Sequence, residues 1–209
     1  PDEHEVKELL GEIGVGVPPA VRLEPGDEVA PPGFDGPYAV KVCSGRIAHK
    51  TERGGVRLGV AADALAGAVA EMRAAFPEER VLVERMVPGA GVELIVGGLV
   101  DPTLGAAIMV GAGGVLTELY EDVAFRLAPC DEDEVRRMVG ELRVAPLFEG
   151  FRGIELDLDG FAAAVARASR LIDAFGDAFD QLDLNPLVFS DGNWIALDAK
   201  LVLGRTTEE

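Results

Sequence analysis

The chain has 209 residues, 48% of them hydrophobic and 27% charged, enough to bury one sizeable core or two small ones and too apolar for a disordered tail. With 37 acidic against 19 basic side chains its formal net charge is −18; such a field repels nucleic-acid backbones and anionic lipid, but not an anion held in a cleft by local lysines, backbone N–H groups or Mg²⁺. No apolar run reaches the roughly 20 residues that span a bilayer, the acidic opening Pro1-Asp2-Glu3-His4-Glu5 is unlike a signal peptide, and Cys43 and Cys130 have no metal or redox spacing, so a cytoplasmic protein is expected.

Val6, Leu9, Leu10 and Ile13 form a helical stripe, stopped by Gly14 and Pro18-Pro19. A loop rich in Pro and Gly over 24–37 leads to a strand at Tyr38-Ala39-Val40-Lys41-Val42, and a second strand, Val56 to Val60, follows Gly54-Gly55. Ala62 to Phe76 reads as an amphipathic helix with Leu65, Val69 and Met72 on one face, then come strands at 81–87, 92–97 and 104–110. The Gly111-Ala112-Gly113-Gly114 loop opens the second half. One helix starts after Asp131 and carries Val135, Met138, Val139 and Leu142; a longer one, with Asp157 to Gly160 near its start, carries Phe161, Val165, Ala168, Leu171, Ile172 and Phe175. Two short strands joined by Ser190-Asp191-Gly192-Asn193 close the chain. Helices and strands alternate without an internal repeat, which predicts an α+β or α/β protein of two lobes meeting near Met86-Val87-Pro88-Gly89.

Several polar residues sit where apolar ones would pack more cheaply. Asn185 precedes a proline in the first closing strand and Asp198 ends the second; a hairpin sets such positions side by side, and an amide carbonyl with a carboxylate suits Mg²⁺ carrying a nucleotide's phosphates. The plainer alternative is a turn asparagine and a capping aspartate. Lys41 interrupts an apolar strand, which fits either an edge lysine facing water or an ammonium holding ATP phosphates. His49, in the loop His49-Lys50-Thr51-Glu52-Arg53-Gly54-Gly55, can accept a phosphoryl group on a ring nitrogen, and the glycines permit close approach to phosphate oxygens; a solvated loop is the alternative. Glu84, Arg85, Met86 and Val87 end a strand as a hinge could, offering backbone groups to an adenine edge, and Glu93 could bond ribose hydroxyls or a metal. Gly111 to Gly114, with Thr117-Glu118 and Asp122-Val123-Ala124-Phe125-Arg126, reads as a second phosphate-facing loop or a tight turn.

In this order, from the helix and turn over Glu3 to Val17 through to Leu203, these pieces resemble the ATP-grasp family. The likeness is to the ATP-grasp domain or beta subunit of nucleoside-diphosphate-forming acyl-CoA synthetases such as ADP-forming acetate–CoA ligase. It extends more distantly to the beta subunit of succinyl-CoA synthetase, through Asn185-Pro186-Leu187 and Leu197-Asp198-Ala199-Lys200-Leu201. The resemblance implies a two-lobed α+β fold clamping Mg-ATP between antiparallel sheets. Residues 1–87 would form the N-terminal helix and first lobe with Lys41, the His49 loop and the adenine hinge, and 88–209 the second lobe with the Mg²⁺ ligands. Lys41 would be the phosphate-binding lysine, Glu84 with the backbone of Arg85 to Val87 the hinge, Glu93 a nucleotide-site acid, and Asn185 and Asp198 the metal ligands. His49 looks like a phosphoryl carrier between a CoA-binding alpha-type partner and Mg-ADP.

This chain has Ser44-Gly45-Arg46 where the family usually has Ser-Pro-acid, and Thr51-Glu52 where Ser-Asp is common. Nothing in it resembles a CoA-binding domain, so a CoA-binding subunit or fused domain, and hence a hetero-oligomer, is expected. Three alternatives stand beside this: a succinyl- or malyl-CoA synthetase beta-like chain, a carboxylate–amine ligase needing no His49, and a regulatory nucleotide-binding module of a fused acetyltransferase.

Overall fold

The computed structural model describes residues 1–47, 50–87, 92–114 and 122–204. In chain order the elements are helix α1 (Glu3–Glu12), strands β1 (Ala20–Leu23), β2 (Tyr38–Cys43) and β3 (Val56–Val60), helix α2 (Leu65–Ala75), and strands β4 (Arg80–Arg85), β5 (Glu93–Asp101), β6 (Gly105–Ala112) and β7 (Val123–Leu127). Helices α3 (Glu132–Glu141) and α4 (Leu158–Phe175) and strands β8 (Phe179–Ser190), β9 (Asn193–Ala196) and β10 (Ala199–Leu203) complete the chain. Two compact units result: Pro1–Val6 with Pro18–Pro88, and Lys7–Val17 with Gly89–Glu209, so that α1 is divided between them. Among the described residues every pairing between these strands is antiparallel, and the α+β expectation holds. Among the described residues no helix is long and apolar enough to cross a membrane.

The first unit is a four-stranded sheet in the order β1-β4-β2-β3. Helix α2 buries Leu65, Ala68, Val69 and Met72, the i, i+3, i+4, i+7 positions of one face, against Val40, Val42, Val81 and Val83. All six residues of β2 are buried, because the strand runs between β4 and β3. That removes the edge-strand alternative for Lys41, which is only 6% exposed. Strand β1 was not expected from the sequence: four residues are too few for alternation to register, and pairing with Val81 to Glu84 is what makes it a strand.

The second unit holds a six-stranded sheet, β10-β8-β5-β6-β7, with β9 also on β8. Asp131 and Asp157 cap α3 and α4 by accepting the N–H groups of Glu134 and Gly160 at 2.8 and 3.0 Å. Ala162, Ala164, Ala166 and Ala168 are all buried along α4. Gly98 is required there, since a Cβ on it would lie 2.5 Å from Ile172 Cδ1 and 2.9 Å from the Phe179 ring. Of the stretch 122–126, read from sequence as part of a loop, Val123 to Arg126 belong to edge strand β7, paired with β6 from Ala107↔Leu127 to Gly111↔Val123. Its charged ends masked a short alternating core.

The Asp191-Gly192 turn has φ of 50° and 75°, the left-handed pair that a two-residue hairpin of this twist needs, as the sequence predicts. The strand after it is not continuous. β8 pairs with β9 over 187–190 and with β10 over 179–184, and Leu197-Asp198 lie in the gap between the two partners. An aromatic cluster fastens β9 to α4: Trp194 is 4.9 Å from Phe161 and 5.3 Å from Phe189 between ring centroids, and its indole N–H donates to the Asp157 carbonyl at 2.7 Å. Phe161 is fully buried. Phe161→Ala is therefore expected to destabilise the chain by about 3–5 kcal/mol, read from the midpoint of urea unfolding.

Candidate functional site

Lys41 places its ammonium among carboxylates. Its Nζ donates to Glu3 Oε1 at 2.8 Å and to Glu84 Oε2 at 2.7 Å, and all three side chains are buried. Lys50 Nζ reaches the other oxygen of Glu3, Oε2. An isolated ammonium in this position would cost several kcal/mol of desolvation, so the two acids are what allow a lysine on a central strand. An anion that binds Lys41 competes with these carboxylate oxygens for the ammonium. Glu84, expected in a nucleotide hinge, thus directs its carboxylate to Lys41.

The neighbouring backbone is largely engaged inside the fold. The N–H of Arg85 donates to Pro19 O and that of Met86 to Pro37 O, both at 2.9 Å, so neither is an open donor for an adenine edge. Val87 is buried and ends the described stretch; Pro88 to Gly91 lie outside it. Gly54 and Gly55 turn the loop back on itself: Gly54 N–H donates to Thr51 O at 3.1 Å and Gly55 N–H to Lys50 O at 2.7 Å. A Cβ on Gly55 would sit 2.6 Å from Val42 Cγ1, which gives that glycine a packing reason of its own. His49, with Ala48, lies outside the described residues.

The second group belongs to the other unit. The break after β9 sets Asn185 beside Asp198: Asn185 N–H donates to Asp198 O at 3.3 Å, and Leu197 N–H to Pro186 O at 2.9 Å. Asp198 Oδ1 accepts the N–H of Ala199 at 2.9 Å, which orients the carboxylate. The buried Lys7 ammonium donates to Leu197 O at 2.7 Å and steadies the same gap. Asp183, two residues before Asn185 and so on the same face of β8, pairs in register with Lys200. Burial raises the Asp183 pKa and the Asp198 charge raises it further, with Lys200 opposing. Neither Lys7 nor Asp183 was singled out from sequence. For Asp183 a signal existed, the period-2 spacing Asp183/Asn185 on a strand whose alternate residues Leu182 and Leu184 are buried.

Such a donor set fits Mg²⁺. That ion takes one or two carboxylates and fills its shell with waters and substrate phosphates, and crowded carboxylates are relieved by a cation. Among the described residues no group of three or more His, Cys, Asp or Glu could hold a metal ion. Glu93 is exposed at the start of β5, and its carbonyl accepts the Gly113 N–H at 2.6 Å. A Cβ on Gly113 would lie 2.7 Å from that carbonyl; Gly111 and Ala112, read from sequence as a loop, belong to β6, and Gly113 continues its pairing with β5. Asp122 is engaged structurally, accepting the N–H groups of Arg143 and Val144 at 2.8 and 3.2 Å. Thr117 and Glu118 lie outside the described residues.

Residues 1–203 match the family model of the ATP-grasp domain, and the chain belongs to that family. It is 31% identical over 214 residues to the beta subunit of acetate–CoA ligase (ADP-forming) I of Pyrococcus furiosus, covering 96% of this chain and 90% of that one. It is 37% identical over 176 residues to acetate–CoA ligase (ADP-forming) I of Archaeoglobus fulgidus, where the match covers 80% of this chain but only 25% of the longer relative. Among solved structures it resembles the dinucleotide-forming acetyl-coenzyme A synthetase 1 of Ca. Korarchaeum cryptofilum in complex with coenzyme A and Mg-AMPPCP, with a TM-score of 0.79 and 31% identity over 97% of this chain and 92% of that one.

Asp183 makes the site sensitive to pH. Its folded pKa lies above the ordinary 3.8, so its contribution to stability is present below that value and is lost as pH rises through the folded one. Asp183→Asn should therefore raise the urea midpoint at neutral pH, with the gain vanishing below about pH 4, checked by unfolding curves across that range.

Proposed function

We propose that this chain is the ATP-grasp component of an ADP-forming acyl-CoA synthetase, an acid–thiol ligase, and that it passes a phosphoryl group between His49 and Mg-ADP or Mg-ATP. The observation that carries this is the likeness, over nearly the whole chain, to the Pyrococcus furiosus beta subunit. In the Korarchaeum synthetase, in addition, a phosphohistidine segment points towards the nucleotide binding site. A CoA-binding subunit or fused domain supplies the acyl chemistry and determines the acid used, and the cytoplasm is the compartment that suits this reaction.

In the direction of ATP use, the lone pair of one imidazole nitrogen of His49 attacks the γ-phosphorus, the bond to the β–γ bridging oxygen breaks, and ADP leaves with that electron pair. Lys41 offsets charge on the transferred oxygens, exchanging a carboxylate of Glu3 or Glu84 for phosphate. Asn185 and Asp198 would hold Mg²⁺, which when bound supplies charge neutralisation at the phosphates. Asp183 crowds Asp198 and so favours a cation there. A backbone N–H for the adenine edge would come from Val87 or the groups after it, since the N–H groups of Arg85 and Met86 are engaged.

Incubation with Mg-ATP labelled on the γ-phosphate tests the carrier step. The expected result is an acid-labile, alkali-stable label on the chain that is absent from His49→Ala. Unlabelled protein that still binds Mg-ATP, with the CoA-binding partner present, would refute it in favour of direct ligase chemistry or a regulatory module. Asn185→Ala and Asp198→Ala should each lower Mg²⁺-dependent label formation by about 100-fold, measured as initial rates.

A further inference from the structure

Glu3 serves two lysines. Its Oε1 accepts from Lys41 at 2.8 Å and its Oε2 from Lys50, while the carboxylate itself is almost wholly excluded from water. Lys50 is the residue after His49, and it is held twice: by its ammonium on Glu3 and by its carbonyl, which accepts the Gly55 N–H at 2.7 Å. Gly55 O in turn accepts the N–H of Val42, next to Lys41, at 2.8 Å. The chain that leaves His49 is therefore moored at its first residue to the strand that carries Lys41.

We infer that Glu3 is a positioning residue that couples the phosphate lysine, Lys41, to the His49 segment through Lys50. This rests on the roles proposed above for Lys41 and His49. Two ammonium groups on one carboxylate repel each other and share its charge. Phosphate at Lys41 competes with Glu3 for that ammonium, and more of the Glu3 charge then acts on Lys50. The mooring beside His49 tightens when nucleotide phosphate is in place, and it slackens when the phosphate leaves. Glu84, which contacts Lys41 at 2.7 Å, keeps that lysine in position through the exchange.

Mass spectrometry of lysine modification tests this on the chain assembled with its CoA-binding partner. An amine-reactive reagent is applied with and without a non-hydrolysable ATP analogue and Mg²⁺, and analogue binding is measured in parallel. In the wild type, and equally in His49→Ala, the analogue is expected to slow Lys50 modification several-fold. In Glu3→Gln, Lys50 should react fast whether or not the analogue is present. Should that variant not fold, Glu3→Asp, whose arm is one methylene shorter, gives the same comparison. Lys50 reactivity that ignores the analogue overturns the coupling. So does protection that persists in the Glu3 variant, since it would mean that the nucleotide shields Lys50 directly. Failure of the carrier reading would appear separately, as absent label on His49 with the Lys50 response intact.

Discussion

A buried ammonium is the constraint around which the first unit is organised. Lys41 stands on a strand with a neighbour on each side, and a charge in that position is tolerable only if acids reach it from elsewhere in the chain. Glu84 comes from the adjacent strand β4, and Glu3 comes from α1, 38 residues upstream. The first turn of α1 is thereby required by the sheet's chemistry as well as by packing. Asp2 follows the same pattern, its carboxylate lying 3.2 Å from both Arg22 and Arg80. The burial beside it pushes the Cys43 thiol up to about 12, so that cysteine acts as a packing residue and not as a nucleophile.

A different device governs the second unit. Instead of compensating a buried charge, the fold interrupts a strand. Two successive partners, β9 and β10, pair with the long strand β8, and the gap between them is where backbone bonds position Asn185 and Asp198. The β8–β10 register, continued one step beyond Ala199↔Leu184, sets Asp198 opposite Asn185 as a ladder pair would be. Across the break the backbones stay adjacent, through Asn185 N–H on the Asp198 carbonyl, while Lys7 holds Leu197 O and the N–H of Ala199 holds the Asp198 carboxylate. The aromatic cluster around Trp194 anchors the strand just before the gap.

Both arrangements bear on how an acidic protein can handle a polyanion. The formal charge of −18 is a property of the whole surface. At Lys41 and Lys50 the acids are already paired with cations, so local charge is close to balanced where phosphate would arrive. At Asp183 and Asp198 the acids crowd each other, which favours a divalent cation in that position.

Much was legible in the sequence because it depends on local order. The helical stripes, the Asp-Gly hairpin turn, the caps at Asp131 and Asp157 and the ordered run of motifs all follow from spacing that neighbouring residues impose on each other. Lys41 stood out since an apolar strand surrounds it, and Asn185 and Asp198 since a turn lies between them. Partnership across the chain was not legible. Nothing local marks Glu3 as the shared acceptor for Lys41 and Lys50, or directs Glu84 inward to a lysine and not to a base. The engaged N–H groups of Arg85 and Met86, the short strand β1 and the split of the last strand are likewise decided by pairing with distant segments. The sequence by itself determined which residues could carry charge and where the chain would turn. Only the tertiary structure decided which charges meet, because desolvation and Coulomb attraction act between atoms close in space, however far apart they lie along the chain.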